Sequence, residues 1–211
     1  MKCILGLTES NSDVTADGQI ERALPGFTRY YKTGYYKYML GRYLYSVKYI
    51  EDKTVLECGC GLGWGSFLIS DYAQELVSID LDREALDFAR ATWKSDKLNF
   101  VEHSTLDLEG LNRKFDVILG FELIEHLHFS DGAKLLEQAN RVLTEDGLII
   151  LSSGFPRSPQ TARRQEATNK FHLHIYTKAE MRDLLAEKGF SMPRFLGSFM
   201  VIARTRRNNN S

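Results

Sequence analysis

The chain has 211 residues, of which 43% are hydrophobic, 26% charged and 11% aromatic, a composition that buries one core and excludes a disordered, fibrous or disulfide-stapled polypeptide. With 27 Lys+Arg against 28 Asp+Glu the formal net charge is −1, so no global positive field gathers duplex nucleic acid, and only a local basic patch stays open. Apolar runs such as Leu148 to Leu151 fall well short of the roughly 18 to 20 residues of a membrane span, and Met1 to Gly18 lacks a signal-peptide pattern, so a cytoplasmic chain with no membrane partner is expected.

The first fifty residues differ from the rest, because eight of the ten tyrosines fall between Tyr30 and Tyr49. Tyr36, Leu40, Tyr43, Leu44 and Val47 form one helical stripe, and Tyr38, Arg42, Tyr45 and Tyr49 a second. A helix with two such faces touches two things. One stripe is expected to pack on the body of the protein and most of the other on the N-terminal segment, with one or two residues reaching an acceptor pocket. Residues 1–50 are therefore expected to form an N-terminal cap.

From Thr54 onward β-type runs alternate with helical ones: Thr54 to Cys58, Leu76 to Asp80, Leu98 to Val101, Phe115 to Gly120 and Leu148 to Ser152. That rhythm predicts a parallel sheet with crossover helices. Leu86, Ala89 and Trp93 mark one covering helix, and Leu135, Leu136, Ala139, Val142 and Leu143 another. Thr177 stands three residues before Glu180, a capping box opening a helix that Gly189 closes, and Phe195 and Phe199 to Ala203 read as closing strands. The prediction is an α/β, Rossmann-like, seven-stranded, mostly parallel sheet flanked by helices, with the main domain at 51–204 and a disordered tail at 205–211. Cys3, Cys58 and Cys60 cannot all pair with one another, and Cys58-Gly59-Cys60 has no second thiolate pair for zinc, so reduced thiols are expected.

The strongest local signal is Glu57-Cys58-Gly59-Cys60-Gly61-Leu62-Gly63, directly after an apolar strand and before a helical run. Glycines there let the backbone turn sharply and approach a ligand at the strand's C-terminal edge. A dinucleotide fingerprint would need its third glycine at Trp64, and the Walker lysine is missing, which disfavours a nicotinamide-dependent oxidoreductase. About twenty residues on, Asp80 ends the second strand, where its carboxylate can accept both hydroxyl hydrogen bonds of a ribose or merely cap the next turn.

This E-x-G-x-G-x-G loop with Asp80 resembles class I S-adenosylmethionine-dependent methyltransferases. Phe115 to Phe121 is similar to the family's fourth strand, and Arg141-Val142-Leu143 with Gly147 to Ile150 to the helix, turn and fifth strand that follow, so the likeness covers roughly Thr54 to Ala203. The resemblance implies S-adenosylmethionine as donor and S-adenosylhomocysteine as product. Glu57, Gly59, Cys60, Gly61 and Gly63 would form the cofactor loop, Asp80 the ribose clamp with Leu81 beside the adenine, and Phe121 would sit near the sulfonium. Where the family commonly carries an Asp for the adenine amine, this chain has His103-Ser104-Thr105, so Ser104 and Thr105 would make a weaker contact.

Glu122, Glu125 and His126 stand at i, i+3 and i+4 directly after the fourth strand, and on a helical turn they would share one face. Two carboxylates and an imidazole can hold a divalent cation, and His172 or His174, in the connection after the fifth strand, can add a ligand. Only one of that alternating pair faces inward on an extended segment; His172 is the choice. Similar E-x-x-E-H segments occur in metal-dependent small-RNA 3′-terminal 2′-O-methyltransferases and in ubiquinone-pathway catechol O-methyltransferases, implying Mg²⁺ or Mn²⁺ and vicinal hydroxyls. The segment also resembles many members with no known metal, where His126 is a general base or a helix-start contact.

The connection from Ser153 to Tyr176 is long and locally basic through Arg157, Arg163, Arg164 and Lys170, which suits a lid or an acceptor clamp, or a solvated insertion. Ile20 to Gly26 partly resembles the G-E-R-x-x-P opening of bacterial methyltransferases of glycan and natural-product pathways, with Ile20 in place of the first Gly. The leading expectation is transfer to a hydroxyl, or a nitrogen, of a small molecule or sugar. The alternatives are an RNA 3′-end enzyme, the one nucleic-acid partner retained, and a non-catalytic cofactor-binding scaffold. A homodimer is left open.

Overall fold

A computed structural model describes residues 35–206. The reading of Ile20 to Gly26, of Cys3 and of the tail beyond Arg206 lies outside the described residues. Among them, no helix is long and apolar enough to cross a membrane.

Helix α1 (Tyr35–Ile50) leads into β1 (Thr54–Cys58), α2 (Trp64–Ser70), β2 (Glu75–Asp80), α3 (Arg83–Thr92) and β3 (Leu98–Glu102). Then come β4 (Phe115–Phe121), a short 3-10 turn at Ile124–His126, α4 (Phe129–Val142), β5 (Leu143–Ser152), α5 (Pro159–Thr168), α6 (Lys178–Glu187), β6 (Phe190–Leu196) and β7 (Met200–Thr205). The seven strands form one sheet in the order β3-β2-β1-β4-β5-β7-β6, in which only β7 runs antiparallel to its neighbours β5 and β6. This is the expected Rossmann-like, mostly parallel seven-stranded sheet.

Both faces of the sheet are covered, which is why its strands are nearly continuous apolar runs. Val55, Val117, Leu119 and Phe121 face one core layer with Tyr43 and Ile50 of α1 and Ile69 of α2. Leu56, Ile79 and Ile118 face the other, with Leu135, Leu136 and Ala139 of α4 and Met181 and Leu185 of α6. The chain leaves β1 to build β2 and β3 on one side and returns to place β4 on the other. That reversal opens a crevice beyond the C-terminal ends of β1 and β4, where ligands of such sheets bind.

Helix α6 opens with the expected capping box: Thr177 Oγ1 accepts from the Glu180 N–H at 3.2 Å, and Glu180 Oε2 from the Thr177 N–H at 2.8 Å. Four expectations need correction. The buried face of α1 is Met39, Arg42, Tyr43, Ser46 and Ile50, while Leu44 is exposed, because two polar residues on the inner face find buried partners. Leu143 belongs to β5 and pairs with Phe115; Val117 then pairs with Leu148, so the intervening Thr144-Glu145-Asp146-Gly147 bulges out of the strand. The long connection contains helix α5, which the Ser158 N-cap and Pro159 at the first turn start. Pairing of β7 runs through Thr205, opposite Phe190, and the Arg206 N–H donates to Gly189 O, so the strand extends past the boundary drawn at residue 204.

Helices α1 and α2 meet where Gly65 leaves room for the Tyr43 ring; a Cβ there would overlap Tyr43 Cζ and its hydroxyl. Gly65→Ala is expected to destabilise the fold by about 1–3 kcal/mol in urea unfolding. Gly41→Ala, whose Cβ meets nothing within 4 Å, is expected to be neutral or to stabilise by up to about 1 kcal/mol.

Candidate active site

The glycine loop is shaped by its own backbone and held from beneath by a carboxylate. Gly59, Gly61 and Gly63 all have positive φ (75°, 51° and 75°), a region in which a side chain is strained. Gly63 packs on Phe100 and Ala89, whereas nothing lies within 4 Å of a Cβ built on Gly61, so the loop is open at its centre. Trp93 Nε1 donates to Leu62 O at 2.8 Å and anchors the far side.

Glu57, expected to be part of the loop's binding surface, is 1% exposed and turned inward. Its carboxylate accepts from the hydroxyls of Tyr43 (2.7 Å), Ser66 (2.5 Å) and Ser78 (3.2 Å). Burial raises its pKa above the ordinary glutamate value, and the three hydroxyls only partly offset that. Cys58 and Cys60 are buried free thiols whose pKa values burial also raises, so neither is a ready nucleophile.

Asp80 stands at the loop's open side. Its Oδ2 accepts from the Gly61 N–H at 2.8 Å and its Oδ1 from the Asp82 N–H at 2.9 Å, so one carboxylate fixes the loop against the end of β2 and keeps lone pairs for a ligand. Leu81 next to it is 68% exposed, a free apolar shelf at the crevice. Ser104 Oγ accepts from the Leu106 N–H at 3.1 Å, which uses part of the capacity assigned to an adenine amine, and Thr105 is nearly buried. Phe121, at the end of β4, packs edge-on against Tyr43 with ring centroids 4.9 Å apart.

The ionisable residues after β4 divide into two groups. Glu122 has φ 50°, so the chain turns at this residue before the 3-10 turn begins and its side chain does not share a face with the other two. Its carboxylate is ion-paired with Arg42, which is 5% exposed, and Ser152 Oγ donates to Glu122 Oε1 at 3.2 Å. Arg42 Nη1 also donates to Ser152 Oγ at 2.8 Å. The grouping of Glu122 with Glu125 and His126 as one ligand set is thus corrected, the cause being the left-handed turn and the competing guanidinium.

Glu125, His126 and His172 do come together, with one ligand atom from each lying within 4.8 Å of the others. Glu125 is 2% exposed, and its Oε2 is buried without a hydrogen-bond partner. Burial, then the nearby Glu122 charge, push its pKa well above the usual carboxylate range. His126 Nδ1 lies 3.1 Å from Phe171 O, a carbonyl that can only accept, so Nδ1 carries the proton and Nε2 is free. His172 Nε2 lies 3.0 Å from Asn169 Nδ2, and Nδ1 is buried without a partner. Backbone bonds from Leu173 and His174 to Glu125 O hold the 169–174 segment over the turn. His174 instead packs edge-on against Tyr176 and Phe129. Arg42, Tyr43 and Ser152 were not among the expected site residues; the one available signal was an arginine inside a tyrosine stripe.

Glu57 supplies a pH test. Its raised folded-state pKa means the folded protein favours the protonated form. The stability this contributes is full below the unfolded value of about 4.3 and is lost as pH rises through the folded value. Urea unfolding of the parent chain and Glu57→Gln should therefore show the parent losing ground to the variant as pH rises from about 4 toward neutrality. The opposite slope would contradict the assignment.

Residues 55–147 match a family model described as a methyltransferase domain. A probable S-adenosylmethionine-dependent methyltransferase of Mycolicibacterium smegmatis is 31% identical over 147 residues, covering 70% of this chain and 55% of that protein. A probable S-adenosylmethionine-dependent methyltransferase of Mycobacterium tuberculosis is 30% identical over 138 residues, 65% of this chain and 48% of its own length. The chain thus spans about half the length of the curated relatives it matches. In fold it is similar to magnesium protoporphyrin IX methyltransferase from Synechocystis, solved with bound SAH (TM-score 0.64, 13% identity, 89% of this chain and 90% of that one). It is also similar to a chain of the complex of the Haloferax volcanii Trm112 activator with a methyltransferase (TM-score 0.64, 15% identity, 88% and 100% covered). Residues 55–147 thus carry a methyltransferase domain, in a chain similar over 70% of its length to an S-adenosylmethionine-dependent methyltransferase.

Proposed function

We propose that the chain moves a methyl group from S-adenosylmethionine to a hydroxyl oxygen of a small molecule or sugar, at the cluster of Glu125, His126 and His172. The observation that carries this reading is the buried Glu125 carboxylate, whose Oε2 has no hydrogen-bond partner, grouped with two imidazoles. A buried carboxylate with an open lone pair is costly, the nearby Glu122 charge adds to that cost, and Arg42, ion-paired with Glu122, offsets only part of it. The donor set therefore fits a divalent cation, Mg²⁺ or Mn²⁺, which Glu125, His126 and His172 would hold. Such an ion supplies Lewis acidity that lowers the pKa of a bound hydroxyl.

The chain's own residues account for donor binding and alignment. Asp80 would accept the ribose hydroxyls, the open centre at Gly61 admits the nucleoside against the backbone, and Leu81 flanks the adenine. Phe121 and Tyr43, packed edge-on at the end of β4, would help keep water from the line of transfer. In the reaction a bond forms from the acceptor oxygen to the methyl carbon, the carbon–sulfur bond breaks, and the hydroxyl proton leaves. The Phe171 carbonyl, by fixing His126 Nδ1–H, favours a second reading in which Nε2 takes that proton with no metal present.

S-adenosylhomocysteine is expected to bind in calorimetric titration, with Asp80→Ala weakening it by about 1.5–3 kcal/mol, the loss of hydrogen bonds to a charged acceptor. Glu125→Gln and His126→Ala are each expected to lower metal-stimulated methyl transfer by about 10²-fold or more while leaving that binding intact. Turnover that survives chelation and Glu125→Gln but not His126→Ala would assign the metal-free base. Selective methylation of RNA 3′ ends over sugars would favour the RNA alternative, for which the exposed Arg157, Arg163 and Arg164 supply cations.

A further inference from the structure

Among the described residues, the side-chain polar atoms that are buried without a hydrogen-bond partner are Arg42 Nε, Glu125 Oε2, Ser153 Oγ, Gln165 Oε1, His172 Nδ1 and His174 Nε2. They all belong to α1, the turn after β4, or the connection that follows β5. Buried polar groups in folded proteins are paired, so unpaired atoms gathered in one region mark a place where water or a ligand completes them. Glu125, His126 and His172 account for the reacting end of that region. Arg42 Nε belongs to the side chain ion-paired with Glu122, and His174 Nε2 to a ring packed on Phe129 and Tyr176; Ser153 and Gln165 remain.

Ser153 is fully buried and its Oγ faces the Glu125 carboxylate without completing a hydrogen bond. Gln165 reaches back from α5, with Oε1 only 3.1 Å from where a Cβ on Gly154 would stand, so Gly154 leaves the space its amide occupies. The backbone carbonyl of Gln165 lies beside the His172 imidazole, which ties α5 to the cluster. Ser153 thus borders the cluster on the β5 side, with the Gln165 amide against the next residue, Gly154, and both offer hydrogen-bonding atoms that an apolar acceptor body would leave unpaired.

We propose that Ser153 and Gln165 form a second hydroxyl-reading subsite, so that the acceptor is a polyol ring carrying at least one hydroxyl beyond the pair presented to Glu125, His126 and His172. This rests on the reading of that cluster as the site of transfer. A catechol has no hydroxyl left for the subsite once both are at the cluster. A sugar ring has.

The test uses the full chain with S-adenosylmethionine and Mn²⁺, and three probes: methyl α-D-mannopyranoside, methyl β-D-ribofuranoside and 3,4-dihydroxybenzoate. The expected result is kcat/KM for a sugar at least about tenfold above the catechol, and Gln165→Leu raising the sugar KM about tenfold or more with kcat little changed. Gln165→Leu should leave the catechol KM and the affinities for S-adenosylhomocysteine and Mn²⁺ unaltered. Ser153→Ala, a smaller change, should raise the sugar KM in the same direction and serves if the leucine variant fails to fold. A preference for the catechol, an unchanged sugar KM in both variants, or no turnover of any probe by protein that binds both S-adenosylhomocysteine and Mn²⁺ would overturn the subsite. Failure of the parent chain to bind S-adenosylhomocysteine would instead overturn the methyl-transfer reading beneath it.

Discussion

The buried carboxylate of Glu57 is the contact on which the binding edge depends. It accepts from Tyr43 on α1, Ser66 on α2 and Ser78 on β2, so one side chain at the end of β1 joins the N-terminal helix, the helix after the glycine loop and the neighbouring strand. Taking a carboxylate out of water is tolerated only when its lone pairs are met, and here three hydroxyls from three elements meet them. The loop of Gly59, Gly61 and Gly63 springs directly from this anchored strand end. Asp80 then ties the loop's centre to β2 from above, so the loop is held on both sides.

Helix α1 is consequently more than a cover. Through Tyr43 it shares in the support of the cofactor loop, and one residue earlier, through Arg42, it pairs with Glu122 and Ser152 at the ends of β4 and β5. Adjacent residues of one helix thereby touch the glycine loop's support on one side and the ends of β4 and β5 on the other. Displacing α1 would cost both a buried hydroxyl–carboxylate bond and a buried ion pair, and such partners are expensive to leave alone.

The left-handed turn at Glu122 sorts the chemistry. It sends Glu122 to the guanidinium and leaves Glu125 with the imidazoles, so one carboxylate forms an ion pair and the other keeps an oxygen without a hydrogen bond. The 169–174 segment, pinned to Glu125 O by backbone bonds, carries His172 to the same place from a distant part of the chain. Strained backbone, an unpaired buried acid and a closing connection coincide at the C-terminal edge of the sheet, where open α/β folds place their ligands.

The sequence by itself determined the sheet, because both-sided burial writes strands as apolar runs, and it determined the glycine loop, because positive φ at alternate positions demands residues without a Cβ. The capping box of α6 was equally legible, since Thr177 and Glu180 act within one turn. Tertiary structure alone decided which polar residues face inward. Arg42 stands in a tyrosine stripe, and the partner that draws it inward, Ser152, comes from more than a hundred residues away. It also decided that Glu57 points into the core, that Glu122 leaves the E-x-x-E-H face and that the region after β5 folds a helix bringing Gln165 toward His172. Period and local propensity record what a residue does with its near neighbours. The partner of a buried charge is set by where distant strand ends meet, and no local pattern carries that information.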